Sequence, residues 1–176
     1  MKVGKVLIGV VASAFVAIGA MAADIPTAPI VVAPHAPVAA PAFDWSGLYV
    51  GGFLERTVSP LQTGLVVGYN INRGNLVLGF QAGAEIAWGG GAVFGLTASA
   101  KAGRPVGERL LLYGITGIDV FFPGGVAVFW HARAGAEYAL NNRISVFGEA
   151  GVIGLFNPLD CCQLSLRAGV NFRPGR

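Results

Sequence analysis

Six charged residues fall on comparable positions of separate segments: Glu85, Lys101, Arg133, Glu137, Glu149 and Arg167. Three are acids and three are bases. Residue types of this kind suit ion pairing, ion conduction or general acid–base work, and the choice depends on what surrounds them. The other reactive groups are few: the chain has two histidines, His35 and His131, and two cysteines, Cys161 and Cys162. Nucleophilic catalysis needs a nucleophile with a base within hydrogen-bond reach. His131 and Ser145 lie on neighbouring segments but at different heights, and there is no Gly-x-Ser-x-Gly elbow. The sequence therefore predicts no enzyme, no cofactor and no metal, the zinc-type ligand sets being absent. Adjacent cysteines have Cα atoms about 3.8 Å apart, below the usual span of roughly 4.4–6.8 Å for a disulfide. A strained bond between Cys161 and Cys162, a link to another chain and capped thiols all stay open.

The elements holding these groups repeat with period two. From Leu76 to Trp88, Leu76, Leu78, Phe80 and Ile86 share one face, while Gln81, Gly83 and Glu85 share the other. Val93–Gly103, Val128–Leu140 and Gln163–Arg173 alternate in the same way, and Leu65–Ile71 and Ile144–Leu155 follow with more noise. Such alternation reads as strand. Leu48–Arg56 and Leu110–Phe121 complete a set of eight, with inward and outward faces undecided in those two. Turn residues separate them at Asn72–Asn75, Gly89–Gly91, Arg104–Gly107, Pro123–Gly125 and Asn141–Arg143. Connections this short require antiparallel neighbours.

Composition decides where the apolar face points. Hydrophobic residues make up 54% of the chain and charged residues 12%, with 27 glycines among 176 residues. Soluble domains carry about 25% charge and roughly 7% glycine. The apolar faces bear aromatics near their ends, Trp88, Trp130, Tyr138 and Phe172, as an interfacial girdle does. The opposite faces mix glycine with the six charges. A soluble sandwich would show a Lys-, Glu- and Thr-rich face instead. Lipid forbids open sheet edges, so the sheet must close. The expected fold is all-β: an eight-stranded antiparallel up-and-down transmembrane β-barrel over residues 44–176. A net charge of +3 without a basic run gives nothing for nucleic acid to bind.

Two segments precede it. Lys2 and Lys5, the apolar run Val6–Gly19 and Ala20-Met21-Ala22 have the order of a secretory signal peptide, placed at 1–22. Residues 23–43 hold Pro26, Pro29, Pro34, Pro37 and Pro41, which predicts an extended leader in the periplasm, with peptidoglycan as a candidate contact.

The phrase FDWSGLYVGG, Phe43 to Gly52, follows that leader. It resembles the opening of the small porin-like outer-membrane barrels of alphaproteobacteria, similar in architecture to the OmpA membrane domain. The ending Arg167-Ala168-Gly169-Val170-Asn171-Phe172 looks like the signal read by the barrel-assembly machinery. Family members usually stop at the aromatic, whereas Arg173-Pro174-Gly175-Arg176 follow here. The resemblance implies outer-membrane localisation, with outer-membrane lipid and lipopolysaccharide as surroundings. An eight-stranded barrel leaves no open channel, so the expected role is structural and envelope-stabilising, with the six charges plugging the lumen. A weak or oligomeric pore and a lipid-modifying enzyme are the alternatives. Taking Asn141–Arg143 as the turn sets Glu149 opposite Gly135 and predicts it flanked by Arg133 and Arg167.

Overall fold

The computed structural model describes residues 43–58, 61–156 and 162–175. The signal-peptide and leader readings, apart from Phe43, fall outside that set. Eight strands run in chain order: β1 (Gly47–Arg56), β2 (Leu61–Arg73), β3 (Leu76–Trp88), β4 (Ala92–Val106), β5 (Leu110–Phe121), β6 (Ala127–Ala139), β7 (Ile144–Leu155) and β8 (Gln163–Phe172). Each pairs antiparallel with the next, and β8 pairs back with β1 to close the barrel. No helix among the described residues is long and apolar enough to cross a membrane, and strands do the crossing here.

Alternation is visible in burial. Leu54, Leu65, Phe80 and Leu166 point outward and are exposed, while their neighbours Phe53, Val66, Gln81 and Arg167 are buried in the lumen. The polar side is thus the inside, opposite to a water-soluble barrel. Alternate side chains of a strand face opposite sides, so one register error would turn every charge into lipid. β2 is longer than expected, Leu61–Arg73 in place of Leu65–Ile71, and the β4–β5 turn shifts. β4 continues through Arg104, Pro105 and Val106, and the chain reverses at 107–109 instead. Gly107, at φ +64°, takes the left-handed conformation of that turn. Pro105 is tolerated at the strand end, where a lost donor matters least.

Glycines make room for large inward neighbours on the adjacent strands. A Cβ on Gly135 would sit 2.8 Å from Tyr113 Cζ, 2.9 Å from Glu149 Cγ and 3.0 Å from the Gly148 carbonyl oxygen. A Cβ on Gly68 would collide with the Tyr49 ring. Close packing of this kind tolerates no added methyl group without displacement. Gly135→Val should therefore destabilise the folded barrel by about 1–3 kcal/mol. Gly148→Val, whose Cβ meets nothing within 4 Å on the outer face, should change little. Urea unfolding midpoints in lipid vesicles compare the two.

Candidate functional site

The charged residues converge inside the barrel because each occupies an inward position of its strand. Glu85, Lys101, Arg133, Glu137, Glu149 and Arg167 are all buried, none more than 8% exposed. Four further ionisable groups join them: Glu55 on β1, Asp119 on β5, His131 on β6 and Arg173 just past β8. That makes five acids and four permanent bases, with His131 as the fifth base when protonated. Charges removed from water must be paired and hydrogen-bonded to be tolerated.

They sort into three layers. Nearest the N-terminal end, Glu137 Oε1 accepts from Ser145 Oγ at 2.6 Å, Asn171 Nδ2 at 2.9 Å and Arg173 Nη2 at 2.9 Å. Its Oε2 lies 3.4 Å from Lys101 Nζ. Lys101 sits over the Tyr49 and Tyr113 rings at 4.6 and 5.1 Å, and Arg173 over Trp45 at 5.3 Å. Cations over aromatic faces in a dry site gain from the ring quadrupole. In the middle layer Arg133 bridges the barrel, donating from Nη1 to Glu55 Oε1 at 2.8 Å and placing Nε 3.1 Å from Glu149 Oε2. Ser165 Oγ and Tyr113 OH complete the layer, donating to Glu55 at 2.6 Å and Glu149 at 2.7 Å.

The third layer is a chain of three side chains. His131 Nδ1 lies 2.8 Å from Asp119 Oδ2, and Nε2 lies 3.0 Å from Ser99 Oγ. His131 pairs in register with Ile153, and Ser145 with Ala139, as the turn assignment required. Ser99, rather than Ser145, is the hydroxyl His131 meets. Asp119 escaped notice because β5 and β1 carry Leu111, Tyr113, Ile115, Tyr49 and Phe53 on their inward faces. With apolar residues on both sides, period two no longer tells inside from outside. An acid isolated in an apolar run was the available signal.

The pairing of Glu149 differs from expectation in one respect. Arg133 does contact it, and Arg167 is its direct register partner. Yet the Arg167 guanidinium lies over the Phe53 ring, 3.4 Å from the centroid, with no ion pair to Glu149 within the described residues. Glu149 Oε1 accepts from Tyr113, while Oε2 lies 3.1 Å from Arg133 Nε as an ion pair without a hydrogen bond. Arg167 Nε and Nη2 and Glu85 Oε1 make no hydrogen bond to any described residue.

The aromatics at the strand ends occupy two levels. Trp88 and Trp130 lie toward the β3–β4 and β5–β6 connections, and Tyr138 and Phe172 toward the chain termini. Trp88, Tyr138 and Phe172 are exposed on the outer face; Trp130 is half-buried, its indole N–H donating to the Leu155 carbonyl at 3.2 Å. Cys162 is disulfide-bonded and takes a φ of 61°, and Cys161 lies outside the described residues.

The opening motif and the chain end meet below the first layer. Trp45, 1% exposed, fills the barrel end against Val77, Leu111 and Ala139, with Phe43 packed on it at 4.6 Å between ring centroids. Arg173, past the terminal aromatic, turns inward to Glu137 and Ser145.

With this geometry established, three comparisons bear on it. No protein-family model matches the chain. It is 28% identical to the "31 kDa outer-membrane immunogenic protein" of Brucella melitensis over 98% of this chain and 96% of that protein, and equally to its counterpart in Brucella suis. Brucella is alphaproteobacterial, which agrees with the resemblance read from residues 43–52. Among solved structures it is similar to the N-terminal β-barrel domain of Pseudomonas aeruginosa OprF, with a TM-score of 0.50 and 16% identity, covering 71% of this chain and 96% of that one. It is also similar to a de novo designed transmembrane barrel, TMB2.3, with a TM-score of 0.52 and 16% identity, covering 74% and 96%. At such identities these two speak for the fold alone.

Removing the carboxylate of Glu137 would leave Lys101 and Arg173 buried without a counter-charge. Glu137→Leu should cost about 3–5 kcal/mol, read from the urea midpoint. Glu137→Leu combined with Lys101→Met should lose less than the single change, because one orphaned cation is removed with its partner.

Proposed function

We propose that this protein, an outer-membrane β-barrel, is a structural component of the envelope whose lumen is plugged by its own polar and charged side chains and passes no solute. The observation that supports this most directly is the Glu55–Arg133–Glu149 bridge, which ties β1 to β6 and β7 across the interior. A solute would have to break such pairs at each layer, and in an eight-stranded barrel there is no width left beside them.

The turns near the chain ends span two, three and four residues, and the opposite connections four, three, five and seven. Outer-membrane barrels keep short turns on the periplasmic side, so both termini are assigned there. The Pro/Ala leader then lies in the periplasm, where peptidoglycan is its candidate partner. Lipid and lipopolysaccharide surround the outer face, and the barrel-assembly machinery reads β8 during insertion.

Planar-bilayer recordings on folded protein should show no conductance steps from low to molar salt. Steps that persist in several salts would replace the plug with a pore, single or oligomeric.

The Ser99–His131–Asp119 chain favours a second reading, a lipid-modifying enzyme, since its connectivity matches an activated serine. Two features oppose it. His131 is 0% exposed, and inward strand positions have their amides committed to the barrel ladder, leaving no oxyanion donors. A fluorophosphonate probe should leave Ser99 unmodified in folded protein; labelling lost in His131→Ala would establish the enzyme.

A further inference from the structure

The two ends of the lumen are finished differently. At the terminal end the apolar ring of Val77, Leu111 and Ala139 is filled by Trp45. At the loop end a comparable wall, Phe121, Phe129, Ile153 and Leu155, borders an open cavity of about 430 Å³. That volume falls within the roughly 300–1,000 Å³ of small-molecule sites. None of the described residues lining it carries a formal charge. Phe121 and Phe129 meet edge to face with centroids 5.8 Å apart, which makes β5–β6 a rigid aromatic wall. The polar contribution is one-sided: Gln62 and Gln163 come from β2 and β8, next to each other around β1.

What surrounds the cavity narrows its occupant. The connections at this end carry bare apolar side chains, with Val58 at 74%, Val126 at 70% and Phe156 at 64% exposure. Outside the rim, Phe94 and Phe122 stack at 6.2 Å. Described apolar side chains thus stand on the lipid-facing wall, at the rim and at the lumen mouth. Below the cavity lie inward charged groups of both signs: Glu55, opposite Gln62 in register, Glu85, two residues before Ala87, and Asp119, two residues before Phe121, with Arg133 and with Arg167, the register partner of Glu55 on β8. Of the three acids Glu85 is the one without an ion pair among the described residues. A charged head pushed inward would lose its water in this layer, whereas an aliphatic chain meets only the aromatic wall above it.

We propose that the loop-end cavity binds the aliphatic chain of an uncharged single-chain amphiphile, drawn from the adjoining leaflet over the apolar rim. The chain lies against Phe121, Phe129, Ile153 and Leu155. The head group stays at the rim within reach of the Gln62 and Gln163 amides. Burial of apolar surface drives it, the charged layer beneath sets the depth, and the described lining offers an anionic head no counter-charge. This site does not depend on the lumen being a plug, since it lies above all three charged layers.

The test uses the full mature chain in nanodiscs of saturated phosphatidylcholine, with dodecanol bearing a terminal diazirine as the probe. After illumination, the label should map to peptides holding Phe121, Phe129 and Ile153, and excess plain dodecanol should suppress it. Ala87→Trp and Ala127→Trp, each of which fills the cavity from a different strand, should lower that label at least tenfold. Their heat-dependent gel shift must persist; two variants allow for one failing to fold. Dodecanoate with the same diazirine, at pH 9, should label at least tenfold less than the alcohol. Label confined to outward residues such as Leu96 and Leu112, or undiminished in the filled variants, reports bulk partition and overturns the site. Equal labelling by dodecanoate overturns the head-group selectivity.

Discussion

Everything inside this barrel follows from the radius that eight strands impose. A ring of that size encloses a space only as wide as the side chains that point into it. There is little water for a charge to turn to, so most inward acids pair with a base, Glu85 being the exception among the described residues, and rings such as Tyr49 and Tyr113 lie against glycines. The same constraint selects arginine for the central bridge. Its planar fork reaches two carboxylates at once, as Arg133 does between Glu55 and Glu149, where the point charge of a lysine would serve one. Lys101, which meets one carboxylate, needs two aromatic faces as well.

Lipid on the outside explains why so much of this was legible. Strands with lipid on one side and ions on the other have the strongest possible contrast between faces. β3, β4, β6 and β8 could accordingly be read nearly residue by residue, and the Asn141–Arg143 turn fixed the β6–β7 register by counting. β1 and β5 could not, because their inward faces carry the aromatic and aliphatic residues on which the cations rest. Glu55 and Asp119 were hidden by this, and with them one end of the central bridge and the partner of His131. The side-chain choice at Arg167 was illegible for a different reason. Register puts it across from Glu149, but competition among Tyr113, Arg133 and Phe53 decides where its guanidinium rests, and that competition is between strands far apart in sequence.

The motif at residues 43–52 and the four residues after Phe172 make sense together. Taken separately, the first looks like a family marker and the second like a departure from family pattern. In the fold Trp45 closes the end of the lumen and Arg173 lies beneath Phe43, Trp45 and Tyr49 rings while paired to Glu137. Past Phe172 the chain supplies the cation of that pair. Without Arg173, Glu137 would face Lys101 at 3.4 Å as its single counter-charge. Phe172 itself stays outward, on the lipid side, so the residue that follows can turn inward without altering the face presented by β8.

Closing one end with a tryptophan and a salt bridge while leaving the other lined by bare apolar walls gives the barrel a direction. Charge pairing and hydrogen bonding hold the lower part rigid, because Glu55–Arg133, Lys101–Glu137 and Glu137–Arg173 join segments that are not neighbours in the ring. Above Asp119 and Glu85 no ion pair crosses the lumen among the described residues, and Phe121 and Phe129 pack edge to face on neighbouring strands. Rigidity and apolar character are thus segregated along one axis, with the carboxylates of Glu55, Glu85 and Asp119 at the boundary. A barrel meant only to resist pressure would gain from cross-lumen pairs at both ends. The absence of such pairs above that boundary is what separates the loop end, physically, from the plug beneath it.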